Sequence, residues 1–280
     1  MDKNKIAEYY DVTLPYYKRF WHRDSESNAL HYGFWEKDTK TVKDALLNEN
    51  RLLAEIAGIT NGTKVLDAGC GIGGSAIWLA KHKGADVVGI TLSEKQIEMA
   101  RKVAEENGVS SKTEFQLKDF VNTGFPDNLF DVVWAIESVC HITDKKKILQ
   151  EAYRLLKNKG RLVVADGFLL RYPQSEAEKR TYKDFLDGLI LPNLANANQF
   201  IKDMESVGFK NIKFLDKTRE VEPSSKILYR RVKLFYPLAQ FLNFLKIIPD
   251  LLIRNSKAGI AQYKLVKSGL AGYGVFYGEK

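Results

Sequence analysis

From residue 41 onward the apolar positions fall into a regular pattern. TVKDALLNENRLLAEIA (41–57) spaces its apolar side chains at helical intervals and predicts an amphipathic helix. Asn61-Gly62 is a turn signal. Short apolar runs then alternate with amphipathic ones. TKVLDAG (63–69), DVVGITL (86–92), TEFQLKD (113–119), FDVVWAI (130–136) and RLVVADG (161–167) predict five strands. GGSAIWLAKHK (73–83), the segment from Ser93 and KKKILQEAYRLLK (145–157) predict helices between them. Ser93, with Gln96 three residues on, has the pattern of a capping box. Asn158–Gly160 reads as a turn. This alternation implies βαβ units and a parallel sheet covered on both faces.

After Gly167 the rhythm changes. Residues 175–207 look helical, with a break at Leu191-Pro192. Residues 209–218 predict a strand, 225–253 an apolar helical stretch punctuated by prolines, and 272–279 a final strand. There is no internal repeat. Residues 1–35 hold nine of the 32 aromatic residues in an eighth of the length, where an even spread would place four. Such a segment is suited to cover something apolar. The expected organisation is an N-terminal lid and helix (1–58), a ligand-binding α/β core (59–170), and a helical cap with the final strands (171–280).

Composition excludes several classes. The 280 residues are 45% hydrophobic and 28% charged, an ordinary globular balance that argues against disorder or a fibre. Two cysteines, Cys70 and Cys140, cannot make a disulfide framework, which points to a reducing, cytoplasmic setting. The start of the chain lacks the apolar core of a signal peptide, and no uninterrupted apolar run is long enough to span a bilayer. The net charge of +8 raises a nucleic-acid reading. The lysines are spread and mixed with acids, so a solvated basic surface explains them and no nucleic-acid partner is expected. No histidine stands at metal-ligand spacing to a cysteine, and no metal is expected.

The candidate chemistry centres on Val65-Leu66-Asp67-Ala68-Gly69-Cys70-Gly71-Ile72-Gly73-Gly74. This run follows a strand and opens a helix, the context that a nucleotide-type loop requires. Glycines at such a turn let backbone approach a ligand where a Cβ would collide. The spacing differs from Gly-x-Gly-x-x-Gly and lacks the Gly-Lys-Ser/Thr of a phosphate loop. Asp67 would repel a pyrophosphate, whereas it suits an ammonium group such as that of an amino acid. The plain alternative is a strand–helix turn with glycines for packing.

This run resembles the glycine loop of class I S-adenosylmethionine (SAM)-dependent methyltransferases, and further segments match in order across residues 60–170. The resemblance implies a Rossmann-like α/β fold with a seven-stranded, mostly parallel sheet, helices on both faces, an N-terminal lid and a helical cap after strand five. It implies SAM as cofactor and S-adenosylhomocysteine as product, held by Asp67, Gly69, Cys70, Gly71, Gly73 and Ile136. The family's acid at the end of strand two is absent. Gly89-Ile90-Thr91-Leu92-Ser93-x-x-Gln96 stands there instead and is similar to the sterol, tocopherol and geranyl diphosphate C-methyltransferase subgroup. That implies Gln96 or Ser93 near the ribose, with Thr91 and Leu92 also among the cofactor-binding residues. By the same resemblance Asp119 accepts from the adenine amino group and Phe120 packs on the ring. Phe125-Pro126-Asp127-Asn128 through Trp134 and Leu156–Gly160 also match, the latter with Asn158 and Lys159 replacing Pro and Gly.

Ile136-Glu137-x-x-Cys140-His141 falls outside the carboxyl end of strand four, where open α/β sheets place ligands. It looks like the corresponding stretch of sterol C-methyltransferases, as do Tyr9, Tyr10, Trp21 and His31. Methyl transfer to an alkene leaves a carbocation, which needs aromatic faces and a base. A phenol or amine needs only the positioned base. His141 and Glu137 are the candidate catalytic residues, and Tyr9, Tyr10, Trp21 and Cys140 the candidate acceptor contacts. Each has a plain alternative: His141 as a turn cap, Glu137 as an anchor for the N-terminal segment, Cys140 as pocket wall. The expected activity is methyl transfer to a small lipophilic, terpenoid- or sterol-like acceptor, at carbon in one version. The alternative is N- or O-methylation of a small amine or natural product, and an RNA or protein methyltransferase is a more distant one. Residues 232–253 are the most lipophilic stretch. They are read as a helix pair on the sheet, a pocket wall or a membrane-surface contact.

Overall fold

The computed structural model describes residue 6, residues 8–13 and residues 31–280. Trp21 and most of the aromatic N-terminal segment therefore lie outside the described residues. Residues 8–13 are helical (α1). Helix α2 (Val42–Ile56) is followed by strand β1 (Lys64–Ala68), α3 (Gly74–Lys83), β2 (Asp86–Thr91), α4 (Glu94–Glu106), β3 (Thr113–Leu117) and β4 (Phe130–Ile136). Then come α5 (Lys145–Leu155), β5 (Leu156–Leu169), α6 (Glu176–Leu189), α7 (Ala197–Val207), β6 (Lys210–Asp216), α8 (Thr218–Phe244), α9 (Asp250–Lys267) and β7 (Ala271–Glu279).

The strands form one seven-stranded sheet in the order β3-β2-β1-β4-β5-β7-β6. The pairs from β3 across to β5 are parallel, and β7 runs antiparallel between β5 and β6. The central strands are apolar in continuous runs because both faces are covered. Val65, Val132, Trp134, Val163 and Ala165 pack toward α2, α3 and α4. Their neighbours Leu66, Val133, Ala135, Leu162 and Val164 pack toward α5 and α7. Strand order reverses beside β1, between β2 and β4, and the crevice at their carboxyl ends is where such sheets hold ligands.

The remaining helices build a cap. Helix α6 opens with a full capping box, Ser175 with Glu178, and packs with α9 around Leu169, Leu191, Leu194 and Leu265. Helix α8 packs beside α9. The long apolar helix differs from expectation: it begins at Thr218, passes through Pro223 and Pro237, and breaks only ahead of Pro249. Pro249 is the N-cap of α9, where the missing N–H costs nothing. Strand β5 also starts earlier than the sequence pattern predicts. The turn signal at Asn158–Gly160 becomes an irregular bulge in it, with Lys159 at a φ of 64°. Ser93 caps α4, its Oγ accepting from the Gln96 N–H at 3.2 Å, but the box is only half made. The Gln96 side chain instead accepts from the Thr91 hydroxyl at 2.5 Å.

Candidate active site

The crevice beside β1 opens into a cavity of about 290 Å³, near the low end for small-ligand sites. It has two walls of different chemistry. The polar wall is made by consecutive residues at strand ends. Asp67 is the penultimate residue of β1, and its Oδ2 is buried with no hydrogen-bond partner among the described residues. Burial pushes the Asp67 carboxyl up to about 7, with His31 pulling the other way. A buried lone carboxylate oxygen facing a cavity fits a ligand ammonium, because an unpaired charge there is otherwise costly.

The loop itself needs glycine. Gly69 has a φ of 102°, and a Cβ there would sit 2.3 Å from the Ser138 Cβ. Ser138 is held at that spot by donating to the Ala68 carbonyl at 2.6 Å. Gly71 also takes a positive φ, 53°, and lines the cavity. Gly73 does not line it. It caps α3 at a φ of 84°, and a Cβ there would press on Phe115 and Ala100, so in this structure its work is packing. Cys70 lines the cavity, and burial pushes its thiol well up. Thr91, Leu92, Ser93, Gln96, Asp119, Phe120 and Ile136 complete the polar wall. The Ser93 hydroxyl is already engaged, donating to Asp11 Oδ1 at 2.7 Å. These residues together fit SAM: a carboxylate for its ammonium, a side-chain-free loop, and Asp119 beside the buried Phe120 ring for its base.

The other wall is apolar. Phe185 and Leu189 of α6, Leu191, Leu194, and Leu228 and Val232 of α8 face the cavity with no charged side chain among them. Ala258, Gly259 and Gln262 of α9 continue it. Tyr9 and Tyr10 close one side. Tyr9 is buried and accepts from the Asn255 side chain of α9 at 2.6 Å.

Between the walls stands His141, in a 3₁₀ turn after β4. The Tyr10 hydroxyl lies 2.6 Å from its Nε2, and its buried Nδ1 has no hydrogen-bond partner among the described residues. Burial, and then the positive charge of Lys145, holds His141 down to about 4, so the ring is neutral at physiological pH. Cys140 lines the cavity too. Burial raises its thiol, the Asp166 charge adds to this, and its backbone N–H donates to Asp166 Oδ2 at 2.8 Å. Such a thiol is a poor nucleophile.

Glu137 lines the cavity as well, with its carboxylate already engaged by neighbours. It has a φ of 47°, its Oε1 accepts from the Tyr32 N–H at 2.6 Å, and the Tyr273 hydroxyl lies 3.1 Å away. Burial pushes it up to about 8, helped by the charge of Glu49 and opposed by that of His31. Sequence reasoning missed the network beneath it. His31 Nδ1 sits 2.9 Å from Glu49 Oε2, and Tyr273 donates to Glu49 Oε1 at 2.8 Å. Burial alone would lower His31, but the Glu49 carboxylate overrides it and raises the ring to about 9. A signal existed: Glu49 and Asn50 occupy the buried stripe of α2 between Ala45-Leu46 and Leu53-Ala54. Asp166, at about 6 through burial, also lines the cavity from within β5, near its carboxyl end. Among the described residues no cluster could hold a metal ion.

Known proteins match this arrangement. Residues 66–164 match the methyltransferase domain family. The chain is 32% identical over 188 residues to 27-O-demethylrifamycin SV methyltransferase of Amycolatopsis mediterranei, covering 67% of each. It is 30% identical over 235 residues to a probable chloroplastic tocopherol O-methyltransferase of Oryza sativa, covering 79% of this chain and 64% of that one. Among solved structures, cyclopropane synthase MmaA2 of Mycobacterium tuberculosis shares the fold with a TM-score of 0.86 at 18% identity, over 100% of this chain and 99% of that one. Sequence identity of 32% sustained over two thirds of a known methyltransferase shows the family: this chain belongs to the class I SAM-dependent methyltransferases.

Proposed function

We propose that the enzyme methylates a small lipophilic acceptor of terpenoid or sterol-like character, with His141 receiving the proton that the acceptor loses. The observation that carries this is the uncharged wall of α6, α8 and α9 facing the neutral Tyr10–His141 pair. The two methyltransferases named above carry 27-O-demethylrifamycin SV and tocopherol in their names.

When bound, SAM supplies an electrophilic methyl group on a sulfonium. Asp67 would hold its ammonium, Asp119 and Phe120 its adenine, and Gly69 and Gly71 would let it lie against backbone. The apolar wall orients the acceptor and excludes water, which would otherwise weaken every electrostatic contact in the site. Methyl transfer leaves positive charge on the neighbouring carbon of an alkene acceptor, or on the heteroatom itself of a hydroxyl, and a proton must go. The neutral His141 ring can take it at Nε2, directly or through the Tyr10 hydroxyl. Glu137 anchors the backbone of Tyr32 by accepting its N–H.

A second reading, transfer to a hydroxyl rather than to carbon, is favoured by the O-methyltransferase relatives. The same base serves both. Incubating the protein with labelled methyl donor and separate panels of terpenoid alkenes, prenylated phenols and small amines tests the proposal. Label should enter the first or second panel, and His141→Ala should lower that turnover by about 10²-fold, a usual range for general acid–base catalysis, with SAM affinity unchanged. Label entering only amines, or near-wild-type turnover of His141→Ala at saturating acceptor, would overturn it.

A further inference from the structure

Helix α8 has two opposite faces, and the cavity uses only one. Val221, Ser225, Leu228 and Val232 point inward, and the last two line the cavity. The opposite arc is exposed along the whole helix. Through its middle it carries Lys226, Arg230 and Lys233. Its second half carries Leu234, Leu238, Phe241 and Leu245, spaced four, three and four residues apart in one stripe, with Phe244 beside it. Leu234 is 73% exposed, Phe244 81%, and Ile247, in the turn to α9, 64%. Large apolar side chains contiguous on a surface mark an interaction site.

The charge around this stripe selects the partner. From residue 226 to residue 257 there are seven lysines and arginines and one acid, Asp250. Lys246, Arg254 and Lys257 are exposed at the far end of the same helical hairpin. An apolar stripe flanked by cations is the pattern of a helix lying in the plane of an anionic bilayer, with its apolar side chains at the headgroup–acyl boundary. Among the described residues no helix is long and apolar enough to cross a membrane, so the contact is with the surface.

We propose that the outer face of α8 and the α8–α9 turn form a docking surface for anionic lipid bilayers. The helix that touches lipid on its outside lines the cavity on its inside. A lipophilic acceptor dissolved in the bilayer would then meet the cavity without crossing water. The docking surface itself does not depend on the acceptor assignment, since none of Leu234, Leu238, Phe241 or Phe244 lines the cavity.

Flotation of the full chain with vesicles tests this. Vesicles of phosphatidylcholine mixed with phosphatidylglycerol should carry at least about tenfold more protein than vesicles of phosphatidylcholine alone, and high salt should reduce the difference. The double variant Phe241→Ser, Phe244→Ser and, separately, Arg230→Glu, Lys233→Glu should each lower binding to the anionic vesicles by about tenfold or more. Calorimetric SAM affinity in both variants should equal wild type, which shows that they are folded. Equal binding to both vesicle types, no binding to either, or wild-type flotation of the phenylalanine variant would overturn the proposal. So would a concentration-dependent dimer in light scattering that the phenylalanine variant dissociates, since the stripe would then be a contact between copies of this chain.

Discussion

The two walls of the cavity are built by different means. The polar wall comes from a few short, contiguous segments: the end of β1 with its loop, the end of β2 with the start of α4, and the end of β3. The apolar wall is gathered from α6, the segment after it, α8 and α9, whose contributing residues spread from 185 to 262. A ligand's charged and hydrogen-bonding groups must be met by partners at fixed distance and angle, so the backbone there is constrained and leaves a motif. An apolar ligand asks only for volume and dryness, which many side chains supply. The comparison predicts that the polar wall fails sharply under small changes and that the apolar wall yields gradually.

The largest effect should come from the loop. Gly69→Val places carbon against Ser138 and forces a side chain into a positive φ. SAM binding should weaken by more than about 100-fold, roughly 2.7 kcal/mol, in calorimetry, with the far-ultraviolet dichroism of the sheet retained. Affinity within a few-fold of wild type would show that the loop does not hold the cofactor.

A smaller effect, on a different parameter, should follow from the cap. Val232→Asp puts a carboxylate in the uncharged wall. The acceptor KM should rise by about tenfold while SAM affinity stays put, because a buried charge on this wall opposes a lipophilic ligand. Steady-state kinetics with calorimetry separates the two. A change in SAM affinity alone would reverse the assignment of the walls.

Proton linkage sharpens the comparison further. The Asp67 carboxyl, raised to about 7 by burial, keeps its proton below that pH, whereas an ammonium ligand requires it ionised. SAM affinity should therefore be flat above pH 7 and weaken below it, by up to about tenfold per pH unit. Titrations in buffers of different ionisation enthalpy should show proton release on binding near pH 6. In Asp67→Asn the affinity should be lower and the pH dependence gone; a pH slope unchanged in that variant would assign the proton to another group.

The smallest effect concerns the network beneath the site. The folded His31 value, about 9, stands above the ordinary 6.5 because of Glu49. Its contribution to stability is complete below about 6.5 and lost as pH rises through about 9. Between pH 7 and 10 the wild-type melting temperature should fall more than that of His31→Gln, by a few degrees, about 2–3 °C. Parallel curves for the two would remove the ion pair from the account.

Much of the sheet was legible because the alternation of buried runs and amphipathic helices is itself the physics of a covered parallel sheet. Strands β1 to β4 lie within two residues of the apolar runs that predict them. Boundaries slipped where tertiary pairing overrode local signals. Asn158–Gly160 reads as a turn, yet β5 runs through it because β4 lies alongside. Residues 225–253 read as one stretch punctuated by prolines, yet α8 starts earlier, passes Pro237 and ends ahead of Pro249. The glycine loop was legible as a candidate ligand site, since a carboxylate near a strand end and side-chain-free backbone have few other uses together. The Tyr10–His141 contact was not legible as a pair, because 131 residues separate the two side chains and only the fold brings them together. His31 with Glu49 was hidden for the same reason, although a glutamate on the buried stripe of α2 was a visible anomaly.

A crystal structure with S-adenosylhomocysteine and a terpenoid or prenylated phenol bound together tests the division of labour most directly. The account predicts the homocysteine ammonium against Asp67 Oδ2 and the adenine beside Asp119 and Phe120. It places the lipophilic ligand against Leu194, Leu228 and Val232, with its reacting atom beside the His141 ring. A homocysteine end bound away from Asp67, or a lipophilic ligand seated off the α6–α8–α9 wall with its reacting atom out of reach of both His141 and Tyr10, would contradict it.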